Sequence, residues 1–547
     1  MFYVQVVWGV DLQKHAVDQW TRELPVVAVR GKITDRKGTV LVDNQDTYSV
    51  FVRPNAVKEK RETARALAKI LDLNEEQLYE KLKNSKVSEL TVKKHVDKNT
   101  VLALSQNELA GVYYARDNTR VYPYGEFLTQ ILGFTSTDGV GQSGIELYQN
   151  ENLKGVNGEI LYTTDLVGKE IPGGNAYYYP AQNGLTVELT VDYEIQTVAE
   201  RAMQEAMLTY SPKSAACIVM DATNGEILAL SIKPSYNLNE IPREDVSSLL
   251  SLSRNILLTD VYEPGSTFKI ITTAANIEEY NQGNKRALSS SHVFPSGRTR
   301  QVAGTTVKCW NTHANGRHSS QTIQDALNNS CNPCFVDIAL NLGAETVYEY
   351  LDKFGFGKKT GVDFGGEAHG LLVPKSAVTL SDLARISFGQ TIAVTPIQLI
   401  TAVSAAVNGG YYYQPSIIRK IRNENGKVVQ VNYPVMKNRT ISEQSSSELA
   451  HLLEGVVQNG SGKKAYIDGY RVGGKTGTAQ KYENGKIAQG KYVSSFVGFF
   501  PANAPKYACL VVIDEPKGQS YGSVVAAPYA GEIFQGIINA KKLQPYA

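Results

Sequence analysis

The chain has 547 residues, 42% of them apolar and 20% charged, with 56 Lys and Arg against 54 Asp and Glu and a formal charge of +2 at pH 7. Such a length exceeds what one hydrophobic core serves, so roughly two to four domains are expected, and the near-neutral balance offers no electrostatic footprint for a nucleic acid partner. Five cysteines, Cys217, Cys309, Cys331, Cys334 and Cys509, are too few and too unevenly spread for a disulfide-built scaffold.

The apolar start MFYVQVVWG is far shorter than the roughly 20 residues that cross a bilayer, and no small-residue cleavage site follows it. Residues 1–20 are therefore expected to be the residual end of a membrane anchor. From residue 20 to 60 short β-rich runs, PVVAVRGKITD, TVLVDN and YSVFV, alternate with turns. A charged stretch with Ala and Leu at helical spacing follows, ETARALAKILDLNEEQLYEKLKNS, where DLNEEQ separates two helices. Glycine punctuates residues 120–180. NGLTVELTVDYEIQTVAERAMQEAM then reads as a strand and a long helix, and SAACIVMDATNGEILALSI as a hairpin around Asn224-Gly225, the start of a larger domain's sheet. The longest mostly apolar run, TIAVTPIQLITAVSAAV, has Thr395-Pro396 suited to an N-cap and first helical position, and it predicts a buried helix.

The chemistry starts at VYEPGSTFKI, where Ser266 precedes Lys269 by three residues at a helix start, so hydroxyl and amine share a face. A serine hydroxyl attacks only when a neighbour takes its proton, and a lysine does so only when burial or nearby positive charge lowers its pKa. Alone, the pair reads more readily as a capping serine and a snorkelling lysine. Two later elements decide between them. NNSCNP supplies Ser330 and Asn332, and RVGGKTGTAQ supplies Lys475, Thr476, Gly477 and Thr478. S-x-x-K, S-x-N and K-T-G in this order are the joint signature of serine β-lactamases and penicillin-binding proteins.

Further motifs carry a wider resemblance. RGKITDRKGTVLV, RVYPYG, GQSGIELYQNENLKG, MDATNGEILAL, SFGQTIAVTPIQL and GGKTGTAQ together resemble a class B penicillin-binding protein, a monofunctional peptidoglycan transpeptidase, and are similar to its division and spore-cortex members. Thr391 stands where the family often has glycine after the Gly-Gln pair. The resemblance implies an α+β multidomain fold: an amino-terminal pedestal or dimerisation-type domain over residues 21–180, then a transpeptidase domain over 181–547 with an antiparallel sheet flanked by helices, as in serine β-lactamases. It implies Ser266 as nucleophile, Lys269 as base, Ser330 and Asn332 as relay and backbone holder, and Lys475, Thr476, Gly477 and Thr478 as the wall that binds the donor carboxylate. Cys331 should then point away from the cleft. The expected ligands are peptidoglycan stem peptides and β-lactam antibiotics. The expected partners are a membrane glycosyltransferase and a division or sporulation complex, at a membrane with the catalytic domain outside the cytoplasm. A serine β-lactamase and a non-catalytic β-lactam sensor or scaffold are the alternatives.

No cofactor is required for this chemistry. A second cluster lies in KCWNTHANGRHSSQTIQDALNNSCNPC, where Cys309, His313 and His318 have a spacing compatible with a structural zinc ion. Asp325 is the expected fourth ligand and Cys334 the second choice. Ordinary loop histidines beside half-buried cysteines are the alternative reading.

Overall fold

The computed structural model of this protein describes residues 21–87, 89–163, 176–310, 319–483 and 486–546. Among them no helix is long and apolar enough to cross a membrane, and the expected anchor end at residues 1–20 lies outside the described residues.

Local sequence explains the elements that carry the architecture. The helices Lys60–Leu71 and Glu75–Asn84 part where Asp72 turns left-handed and the Asn74 side chain accepts the Gln77 N–H. The hairpin forms as the strands Ser214–Asp221 and Ile227–Lys233, antiparallel, with Gly225 at φ +81°. These strands begin a five-stranded antiparallel sheet completed by Tyr507–Asp514, Lys486–Phe500 and Gly473–Glu483. Side chains alternate between its faces. Cys217 and Val219 join the helices Tyr193–Tyr210 and Ala527–Lys541 on one side, whereas Ala216, Ile218 and Met220 join the Lys269–Asn281 and Pro396–Val407 helices on the other. Every residue of the Pro396–Val407 helix is buried, and Thr395 with Gln398 closes a capping box at its start.

The amino-terminal half is fastened to this body by a shared sheet. In its seven strands Val428–Val431, Ile418–Arg422, Thr186–Leu189, Ile33–Thr34, Val40–Val52 and Leu90–Val96 follow one another, and Val112–Val121 also pairs with Val40–Val52. Ile33–Thr34 runs parallel to Thr186–Leu189. Beside this seam the buried Asp35 carboxylate accepts the N–H groups of Lys37, Thr39 and Tyr193. Arg36 pairs with Glu226 at 2.9 Å.

The glycine-punctuated region is organised by one buried acid. Glu146, 0% exposed, receives Arg30 at 2.6 Å and Arg120 at 2.6 Å, themselves 4% and 5% exposed. Arg30 also donates to the Glu146 carbonyl at 2.8 Å, and Arg120 to the Gly31 carbonyl at 2.9 Å. Three separate sequence motifs thus meet at one carboxylate. Removing it strands two guanidinium groups out of water, which typically costs about 3–5 kcal/mol. E146A should lose about that much in denaturant unfolding, and an unchanged midpoint would refute the assignment.

Candidate functional site

Ser266 sits in a 3-10 turn, Gly265–Phe268, that runs directly into the Lys269–Asn281 helix. Gly265 enters it at φ +56°, a conformation that favours glycine. Ser266 is half-buried, and its hydroxyl has no hydrogen-bond partner among the described residues. Lys269 is fully buried and engaged with the second motif. Its ammonium donates to the Ser330 carbonyl at 2.8 Å, the Ser330 hydroxyl at 3.1 Å and Asn332 Oδ1 at 2.7 Å.

This grip depends on an unusual backbone. Ser330 is left-handed at φ +55°, which aims its carbonyl and hydroxyl at the same amine. Asn332 opens the Asn332–Lys353 helix, with Pro333 in its first turn. Cys331 is buried between them. Burial pushes Lys269 down to about 8, against the opposing influence of the thiols of Cys331, Cys309 and Cys334. The Phe335 ring lies 5.0 Å from the ammonium.

The opposite wall is the strand Gly473–Glu483, in which Gly477 pairs with Ser495 and Thr478 with Ser494. A side chain at 477 would place its Cβ 2.4 Å from Ser495 Oγ and 3.1 Å from the Pro264 carbonyl, so glycine lets the strand lie against the serine's turn. Lys475 is fully buried, and among the described residues its ammonium reaches only the Thr476 carbonyl, at 3.4 Å. Burial, and then the charge on Lys269, push its pKa down. Thr478 Oγ1 accepts the Gly522 N–H at 3.0 Å, and Thr476 Oγ1 donates to Ser461 Oγ at 3.1 Å. The three motifs are thus brought together: a half-buried hydroxyl, an amine of lowered basicity held by Ser330 and Asn332, and a second amine that among the described residues meets no carboxylate.

Sequence reasoning missed three residues here. Ser461, in the Gly460–Gly462 turn, links the Lys475 wall to Asn328, whose carbonyl accepts the Ser461 N–H; only an N-G-S-G turn signal marks it. Trp310 donates its indole N–H to the Asn329 carbonyl at 2.8 Å, and its ring lies 5.9 Å from that of Tyr521. Both rings are about half exposed, at 51% and 52%. They connect the two walls of the cleft, a pairing that no sequence spacing announces.

The zinc expectation changes on inspection. His313 and His318 lie outside the described residues. Asp325 is exposed, and its carboxylate accepts both the N–H and the hydroxyl of Thr322, closing a capping box on the helix Ile323–Asn328. Cys309 is buried in the main core, and Cys334 lies buried within the Asn332–Lys353 helix. Among the described residues no group of three or more such side chains stands ready to hold a metal ion. Asp325 is thus a helix cap, and the four-residue zinc set has no support.

Residues 215–535 match the penicillin-binding protein transpeptidase domain, and residues 25–189 match the penicillin-binding protein dimerisation domain. The chain belongs to the penicillin-binding protein transpeptidase family. It is 39% identical to Stage V sporulation protein D of Bacillus subtilis, over 99% of this chain and 83% of that protein. It is 29% identical to peptidoglycan D,D-transpeptidase FtsI of Escherichia coli, over 100% of this chain and 89% of that protein. A peptidoglycan synthetase from Bifidobacterium adolescentis superposes with a TM-score of 0.76 at 25% identity, covering 96% of this chain and 98% of that one. The expected α+β fold, with an amino-terminal dimerisation-type domain before a helix-flanked antiparallel sheet, is borne out.

The state of Lys269 generates a test. A base must be neutral to accept a proton, and with a pKa near 8 its neutral fraction rises through that pH. Acylation by benzylpenicillin should therefore climb with pH and level off above about 8. K269R keeps its proton and should acylate at least about 10²-fold more slowly, a typical contribution of a positioned base. A wild-type rate that is flat from pH 6 to 9 would remove Lys269 from that role.

Proposed function

We propose that this protein is a peptidoglycan D,D-transpeptidase in which Ser266 carries the acyl group. The observation that supports the reading is that Lys269, in the helix continuing the turn of Ser266, is held by Ser330 and Asn332, while the strand carrying Lys475 lies against that same turn at Gly477. Ser266 Oγ attacks the carbonyl of the penultimate D-alanine of a stem peptide. The bond to the terminal D-alanine nitrogen breaks, and the hydroxyl proton passes to Lys269 and then, through the Ser330 hydroxyl, to the leaving amine. Asn332 holds the peptide backbone. Lys475 with Thr476 and Thr478 receives the terminal carboxylate, a role suited to an ammonium that burial leaves unpaired. Gly477 keeps that strand close, and the backbone N–H groups of Ser266 and Thr478 form the oxyanion hole, a contribution of several kcal/mol in typical cases. An amine of a second stem peptide then takes the acyl group, completing the cross-link. A β-lactam enters the same path and remains as the Ser266 ester.

On this reading residues 21–180 are the non-catalytic pedestal and 181–547 the transpeptidase domain, held outside the cytoplasm by an amino-terminal membrane anchor. Its partners are a membrane glycosyltransferase and either a division or a sporulation complex. The relative named as a sporulation protein supports a sporulation role, and the one named as a peptidoglycan D,D-transpeptidase supports the activity. Protease added outside intact cells should digest the catalytic domain of the anchored protein; protection on the cytoplasmic side would reverse the placement.

Fluorescent penicillin should label the protein once per chain, and S266A should abolish the label. An adduct found by peptide mass spectrometry on another residue would overturn the assignment. Nitrocefin separates the alternatives: stoichiometric trapping with cross-linking activity is expected, rapid turnover would mean a β-lactamase, and trapping without cross-linking would mean a sensor.

A further inference from the structure

The turn that presents Ser266 is stapled along its length to the segment Ser387–Val394, and one side chain in that staple stands out. Tyr262 and Val394 exchange backbone hydrogen bonds at 3.0 and 2.9 Å, and the Gly265 N–H donates to the Gly389 carbonyl at 2.9 Å. Thr272, one turn into the helix after Ser266, donates its hydroxyl to the Ser387 carbonyl at 2.8 Å. The fit at the middle is close: a Cβ on Gly389 would lie 2.2 Å from the Gly265 carbonyl oxygen.

Between these contacts Glu263 Oε1 accepts the N–H of Thr391 at 2.9 Å. Thr391 holds φ at +65°, in the left-handed region that β-branched residues resist. Glu263 Oε2 is buried and has no hydrogen-bond partner among the described residues. Burial raises the acid's pKa, while the Thr391 N–H and the charge on Arg385 oppose that rise. A buried, half-satisfied carboxyl that holds a residue against its own backbone preference, three positions before the nucleophile, is a local conflict of the kind that collects at functional sites.

We propose that Glu263 is a positioning residue for Ser266: its carboxyl holds Thr391 left-handed, and through the Gly389–Gly265 contact this hold fixes the turn that carries the serine. The inference rests on Ser266 being the acylated residue. It predicts a dependence peculiar to the pair. Without the carboxyl, Thr391 relaxes and the Gly265–Gly389 contact loosens. A glycine at 391 adopts the left-handed conformation unaided and needs no such hold.

The test is a double-mutant cycle on the full chain, read as the benzylpenicillin acylation rate. E263A should acylate roughly 10- to 100-fold more slowly, E263Q should stay within about threefold of wild type because its amide oxygen still accepts, and T391G should stay within about threefold. E263A/T391G should recover most of the loss, a rescue that a general weakening of the fold would not show. If E263A does not fold, E263M fills the same space without an acceptor and takes its place. Hydrogen exchange at the Thr391 amide should quicken in E263A whatever the chemistry. Acylation of E263A at the wild-type rate, or a double variant no faster than E263A, overturns the proposal. If wild type takes no label on Ser266, the transpeptidase assignment fails instead, and the exchange measurement still decides whether Glu263 holds Thr391.

Discussion

The Lys269 ammonium is the contact on which the active cleft depends. An amine taken wholly out of water is costly unless oxygens receive its hydrogens, and here the oxygens come from a turn more than sixty positions along the chain. Ser330 adopts a left-handed backbone to offer two of them, and Asn332 offers the third at the start of a long helix. The lysine thus orders the turn, and the turn holds the lysine in place. Lys475 lies on the neighbouring strand, and among the described residues only the Thr476 carbonyl receives it. One buried amine is satisfied and the other is not. That asymmetry is what the proposed binding of a donor carboxylate beside Lys475 rests on.

Much of this was legible because it is local. The Thr395-Pro396 start of the buried helix, the Asn224-Gly225 hairpin and the paired helices around DLNEEQ each carry their own capping or turn chemistry. The three motifs were legible because reacting groups are tied to short spacings. Contacts that join distant segments through generic groups were not. Ser461 reaches Thr476 with an ordinary hydroxyl, Trp310 meets Tyr521 across more than two hundred positions, and Glu263 binds a backbone N–H that any residue but proline has. Asp325 is a different case. Thr322 precedes it by three positions before an apolar helix, which is a capping-box pattern, and the attraction of nearby cysteines and histidines hid a simpler use for the carboxylate.

Glycine and charge divide the labour of bringing elements close. At Gly477 the absence of a side chain lets a strand touch the serine's turn. At Glu146 a single buried charge draws three motifs to one point in the amino-terminal half. The first kind of contact is short-ranged and tolerates no added atom. The second acts at longer range and fails when its charge balance is broken.

The shared sheet has a mechanical meaning. Its strand Ile33–Thr34 enters from the amino-terminal side and lies parallel to Thr186–Leu189, which is bonded in turn to Ile418–Arg422. Tension along the amino-terminal segment would load this two-residue pairing in shear, along the strand direction. The amino-terminal segment is therefore bound side by side to strands that continue into the catalytic body.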